Sequence, residues 1–233
     1  MDNKEIAIAW IDLSFKVKPF WFTKEKIILN RLYGSVCFGT ITALMGPSGA
    51  GKTTLLKSLC GKNKSNLDSN TKLYLNSNQT INSCFVGQHS NQHLIMCLTA
   101  KQNLIYASKL KNSCDENILS KDFSHQKNVS NILCELMISD ICDTPVNRCS
   151  GGEQRRLTIA IEMTKTTKPN LMFIDEPTTG LDSNAAEIVR IIIFKHILYN
   201  TYLNPMIRTF RIIISKEFKF SDLISYFVKI EKK

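Results

Sequence analysis

The stretch GPSGAGKT, residues 46 to 53, fills every specified position of the phosphate-binding pattern G-x-x-x-x-G-K-[ST]. Gly46, Gly49 and Gly51 let the backbone turn tightly. The N–H groups of a loop that also holds Pro47, Ser48 and Ala50 then converge on phosphate oxygens at a helix start. In such a loop Lys52 reaches the β and γ phosphates of a nucleotide, Thr53 offers its hydroxyl to Mg²⁺, and Thr54 donates to the α phosphate. A second stretch, LMFIDEP at residues 171 to 177, ends an apolar run in two carboxylates. Open α/β sheets bind ligands at the carboxyl ends of their strands. Asp175 is therefore expected to hold Mg²⁺, and Glu176 to orient and deprotonate an attacking water. Alone, such a run also describes a strand meeting solvent; a phosphate loop upstream favours the chemistry. A third stretch, CSGGEQRRLTIA at residues 149 to 160, sets Ser150, Gly151 and Gly152 before a basic helix-forming segment. A hydroxyl and two amides at a helix start bind anions, although SGG by itself is usually a turn.

These residues need a scaffold that delivers them to one place. IAIAWIDLSFKV and ITALM read as strands, separated by a polar and aromatic connection, KPFWFTKEKIILNRLYG. ITALM runs into the glycine loop, and LLKSLCG after it has helical spacing: strand, loop, helix. Further strands are expected at KLYLN and SCFVG. From about Leu98 to Lys165 apolar residues recur three and four apart, predicting helices, with Thr99 as an N-cap. Strand character returns in NLMFIDEP. A helix is expected from about Asn184 to Tyr199, and FRIIIS reads as a buried strand. One domain, residues 1–233, is expected, with an inserted helical lobe over about 95–165 and a divergent tail from about 200.

Composition removes several classes. With 43% hydrophobic residues in a 233-residue chain, a sizeable core can form. No apolar stretch reaches the ~18 residues of a membrane span, since IVRIIIFKHIL is interrupted by Arg190, Lys195 and His196. The amino-terminal MDNKEIAIAWID lacks the apolar core of a signal peptide. Eight cysteines are scattered without a CxxC pair, so reduced thiols are expected and structural zinc is not. A formal net charge of +10 suits nucleic acid or an anionic surface, but much of the excess lies after residue 189, where a solvated tail explains it; no nucleic acid is expected as partner.

With SGG about 25 residues before IDEPTTGLDS, the chain resembles ATP-binding cassette (ABC) nucleotide-binding domains, more narrowly those of G-type half-transporters, from about Ile8 to Ala186. The resemblance implies an α/β fold: a P-loop NTPase core of mixed sheet flanked by helices, an N-terminal antiparallel β subdomain and an inserted helical subdomain. It makes GPSGAGKTT the Walker A loop, LMFIDEP the Walker B strand, SGGEQRR the signature and TTGLDS the D-loop with Asp182. Gln88 falls at the Q-loop, where it touches Mg²⁺ and senses the γ phosphate. The implied activity is ATP hydrolysis with Mg²⁺, driving transport of a lipid-like or small organic substrate. Ser150, Gly151, Gly152, Glu153 and Asp182 are then expected to act in trans, on a nucleotide held by a second ABC domain paired head to tail. An adenine-stacking aromatic would fall near Val17; Phe15 reads as core, and Phe20, Trp21 and Phe22 either touch the base or cover the core.

Half-transporters continue into membrane segments that have no counterpart here, so a membrane domain is expected in trans or outside this chain. The expected place is the cytoplasmic face of a membrane, or the cytoplasm for this chain alone. The family also carries a histidine after the strand that follows the D-loop helix. The four histidines here, His89, His93, His125 and His196, all precede FRIIIS, and a loose alignment sets Glu217 at that position. Slowed turnover is the expected consequence. Two other readings stay open: an ATP-binding partner without catalysis, or a degenerate product, and a soluble ABC ATPase acting on ribosomes or DNA.

Overall fold

The alternation in IAIAWIDLSFKV becomes β1 (Ile6–Val17), which buries Ala7, Ile8, Leu13 and Phe15. The computed structural model describes residues 5–18, 24–38, 40–88, 94–113, 123–167, 169–202 and 212–215, with backbone alone at 41, 194–202 and 212–215. β1 is the centre of a three-stranded antiparallel sheet. On one side it pairs with β2 (Lys26–Cys37), on the other with β4 (Lys72–Leu75).

β2 corrects the sequence reading, which took most of that stretch as a polar connection. Its pairing with β1 shifts register at several points, and Asp12 and Arg31 take left-handed φ values of 56° and 47° across the pair. Each shift moves following side chains to the other face. The period-two signal is thereby erased from a strand that nonetheless forms a continuous ladder.

The second sheet is four parallel strands in the order β3 (Ile41–Leu44), β7 (Ile212–Ser215), β6 (Leu171–Asp175) and β5 (Ser83–Val86). Among the described residues, the antiparallel pairing between strands lies in the β1 sheet. All five residues of β6 are buried, as befits a strand covered on both faces. The β1 sheet and α1 (Lys52–Leu59) share a core with Phe85, Leu171 and Phe173. The other main core joins Val86, Met172 and Ile174 to α2 (Ala100–Lys111), α3 (His125–Glu135), α4 (Gly151–Met163) and α5 (Ser183–Tyr202).

Thr99 caps α2 as expected, in a reciprocal box with Gln102. Buried Asn112, just past α2, donates to the carbonyls of Ser108 and Thr164 and accepts from the Thr166 N–H, fastening α2 to the end of α4. Among the described residues no helix is long and apolar enough to cross a membrane, and the seven described cysteines are free thiols.

Candidate nucleotide site

Parallel strands end at one edge, and the register of the second sheet says which residues meet there. Ser215 pairs with Leu44 on one side and with Asp175 on the other. The glycine loop leaves β3 right after Leu44, two strand spacings, or about 10 Å, from Asp175. Phe85 and Val86 of β5 pair with Phe173 and Ile174, so Gly87 and Gln88 leave beside Asp175 and Glu176. One edge therefore collects the phosphate loop, Gln88 and both carboxylates.

In the loop, Gly51 has a φ of 87°, and a Cβ there would lie 2.7 Å from Leu29 Cδ2. Only glycine fits that turn. Lys52 is 8% exposed, and its Nζ donates to the carbonyls of Gly46 at 2.8 Å and Pro47 at 2.6 Å. The ammonium is thus held at the loop's own mouth with one of its three donors left over. Pro47, Ser48, Ala50 and Thr53 are exposed, and Thr54 is half-buried at the start of α1.

Asp175 is 2% exposed at the end of β6. Glu176 follows with a φ of 46°, a left-handed conformation that costs a side-chain-bearing residue roughly 1–2 kcal/mol. Its Oε2 accepts from Gln88 Nε2 and from Thr179 Oγ1, both at 2.9 Å. Gln88 and Glu176, read separately in the sequence, are direct partners.

Hard oxygen donors suit Mg²⁺: the Asp175 carboxylate, the Thr53 hydroxyl and the Gln88 amide oxygen. Among the described residues, no three His, Cys, Asp or Glu side chains gather as a metal cage. Magnesium normally sits on one or two carboxylates plus phosphate and water, so this donor set fits it.

The Ser150 segment is more occupied with its own helix than the sequence reading implies. Ser150 Oγ accepts from the Glu153 N–H, while Glu153 Oε2 accepts from the Ser150 N–H at 2.7 Å, a capping box at the start of α4. The S-x-x-E spacing was available as that signal. Ser150 and Gly151 are exposed, but Gly152 is buried: a Cβ on it would lie 2.6 Å from the Ala185 Cβ of α5. Asp182 Oδ2 accepts from the Ala185 N–H and caps α5.

Thr179, within TTGLDS, and Arg155, within SGGEQRR, carry roles of their own that those motifs do not announce. Arg155 is 3% exposed, and its guanidinium donates to five carbonyls: Gly87, Gln88, Asp175, Glu176 and Pro177. Burial pulls this cation down to about 10, against the opposing pull of Asp175. Its place between Gly152 and Ile159 on the buried side of α4 was the available signal. Phe15 is core and Val17 half-buried; Phe20, Trp21, Phe22, Lys216 and Glu217 lie outside the described residues.

A glycine loop, a carboxylate-tipped strand and a glutamine at one sheet edge, beneath a capped SGG helix, define a family as well as a site. Residues 29–179 match the ABC transporter domain. The chain belongs to the ABC transporter family. Its relatives include G-type ABC transporters of distant eukaryotes. ABC transporter G family member 24 of Dictyostelium discoideum is 40% identical over 174 residues, covering 70% of this chain and 14% of that protein. The Caenorhabditis elegans ABC transporter ATP-binding protein/permease wht-3 is 34% identical over 200 residues, 80% of this chain and 31% of that protein. The ABC domain thus spans less than a third of either relative. In structure it is similar to cbiO1 of Clostridium perfringens, with a TM-score of 0.66 at 18% identity, covering 92% of this chain and 80% of that one. That likeness shows the fold.

Proposed function

We propose that this ABC domain binds Mg-ATP in its phosphate loop and hydrolyses it to drive transport through a membrane domain, on the cytoplasmic side of a membrane. The observation that carries this reading is the register Leu44–Ser215–Asp175, which puts the phosphate loop and the two carboxylates at one sheet edge. Amides 49 to 54 and Lys52 bind the phosphates. Mg²⁺, held by Asp175, Thr53 and Gln88, supplies neutralisation of phosphate charge when bound. Glu176 takes a proton from the attacking water, and Gln88 and Thr179 fix its Oε2 so that the carboxylate is already aimed.

Ser150 and Gly151 face solvent at the start of α4, as a surface that meets a second copy's nucleotide must. This supports a head-to-tail pair in which Ser150, Gly151, Gly152, Glu153 and Asp182 of one domain complete the site of the other. The transported substrate is of a lipid-like or small organic class, and the membrane domain belongs to a larger chain or a separate subunit.

A second reading, ATP binding with slow turnover, is favoured by the residues that follow β7. Ser215 stands in register between the phosphate loop strand and Asp175, and the sequence continues Lys216-Glu217, with no histidine beyond it. Loss of one positioned polar group there slows turnover about 100-fold. Steady-state ATPase of wild type against Glu176→Gln tests both readings. Slow hydrolysis abolished by the substitution fits; vigorous hydrolysis abolished by it removes the second reading, and hydrolysis unaffected by it removes Glu176 as the base.

A further inference from the structure

We propose that Arg155 is a positioning residue that locks the Gln88 loop and the Glu176 turn to the signature helix, so that movement of that helix is felt at the catalytic carboxylate. The inference rests on the reading of Glu176 as the catalytic base.

Three observations carry it. First, all five acceptors of the guanidinium are backbone carbonyls, and they belong to two segments only: Gly87 and Gln88 after β5, and Asp175, Glu176 and Pro177 after β6. Those strands are parallel neighbours, so their loops leave side by side with nothing in the ladder to tie them beyond the last pair, Val86 and Ile174. A planar fork with five donors bridges them where a lysine's point charge cannot.

Second, the clamp falls on a strained residue. Glu176 holds a φ of 46°, and a non-glycine residue stays there only where its surroundings hold it. Arg155 Nη2 bonds the carbonyls of Asp175 at 2.9 Å and Glu176 at 3.2 Å, on either side of that torsion. The side chain of Glu176 is fixed meanwhile by Gln88, whose own carbonyl takes a bond from Nη1 at 3.3 Å. The cation holds both members of the Gln88–Glu176 pair from behind.

Third, Arg155 is rooted on α4, five residues or about 7.5 Å along the axis from Ser150. Gly152, between them, packs against α5. A shift of the first turn of α4, such as a partner domain docking on Ser150 would impose, therefore tilts the guanidinium and with it both loops.

Hydrogen–deuterium exchange of the intact chain, wild type against Arg155→Met and Arg155→Lys, reads this without relying on turnover. In Arg155→Met, amides in peptides covering 85–88 and 175–180 should exchange about ten-fold or more faster, while those covering 52–59 and 129–138 stay within about two-fold. Arg155→Lys keeps the buried cation and one or two carbonyl bonds; it should fall between the two and covers the case in which the methionine variant does not fold. In ATP turnover the same variants should lower kcat about ten-fold with KM within about two-fold, because the phosphate loop is untouched. Unchanged exchange at both loops overturns the proposal. So does acceleration spread evenly over the chain, which would make Arg155 a structural cation only. If wild type shows no stabilisation by Mg-ATP while Arg155→Met still loosens the two loops selectively, the nucleotide reading fails and the lock stands.

Discussion

Gly152→Ala separates what the signature glycine does inside its own chain from anything it does to a nucleotide. A Cβ at that position would lie 2.6 Å from Ala185 Cβ and 3.7 Å from Ala185 Cα. Carbon atoms settle near 3.5–4.0 Å, so α4 and α5 must part by about 1 Å. Overpacking of this kind costs ~1–3 kcal/mol, and alanine for glycine in a helix returns up to about 1 kcal/mol. The net loss is about 1 kcal/mol, which for a domain of this size lowers Tm by roughly 2–4 °C. Gly151→Ala is the control: its Cβ would stand 3.6 Å from Leu181 Cδ2, an ordinary contact, and the residue is exposed. It gains the same helix propensity without the clash. Thermal unfolding without nucleotide should place Gly152→Ala below wild type and Gly151→Ala at or above it. A Gly152→Ala chain that melts with or above Gly151→Ala refutes the α4–α5 contact.

Asn112→Ala strips the buried link between α2 and α4 and leaves the Thr166 N–H without its acceptor, while the Thr164 carbonyl keeps only Asn128; urea unfolding should show a loss of ~1–3 kcal/mol at unchanged m-value, and a loss under ~0.5 kcal/mol contradicts the link. Asp68 is held below the usual carboxylate range by the Lys16 ammonium and then by the Asn70 N–H. Because its folded value is depressed, its contribution is complete above the ordinary carboxylate pKa near ~3.9 and is lost as pH falls through the folded value. Lys16→Met should therefore lower Tm at pH 7, and the drop should shrink as the pH falls below the ordinary carboxylate range; a drop that does not shrink contradicts the pairing.

The parts of the site legible in the sequence are those whose chemistry constrains the backbone. GPSGAGKT must be glycine-rich to admit phosphate and must sit between strand and helix, and LMFID must be apolar to run through the middle of a covered sheet. The Thr99 cap was legible in the same way. β2 was not, because register shifts around Asp12 and Arg31 scramble the alternation by which a strand is recognised. Arg155 was not read, because a cation in a helix beside Arg156 and Glu153 looks solvated; its spacing of three and four from Gly152 and Ile159 was the available signal, and the turn of α4 brings it to five carbonyls. The isoleucines of β7 read correctly as a strand. Their position between β3 and β6 is a fact of long-range pairing that no local pattern contains.

On the proposed function, the loop at residues 46–53 holds ATP. At a Mg-ATP concentration ~100 times its dissociation constant, binding to the folded state alone adds ~2.7 kcal/mol, a rise in Tm of roughly 5–10 °C. Thermal unfolding with and without Mg-ATP, in wild type and in Lys52→Ala, measures this directly. That rise is expected in wild type and is lost in Lys52→Ala; no rise in wild type, or an equal rise in both, contradicts nucleotide binding at this loop.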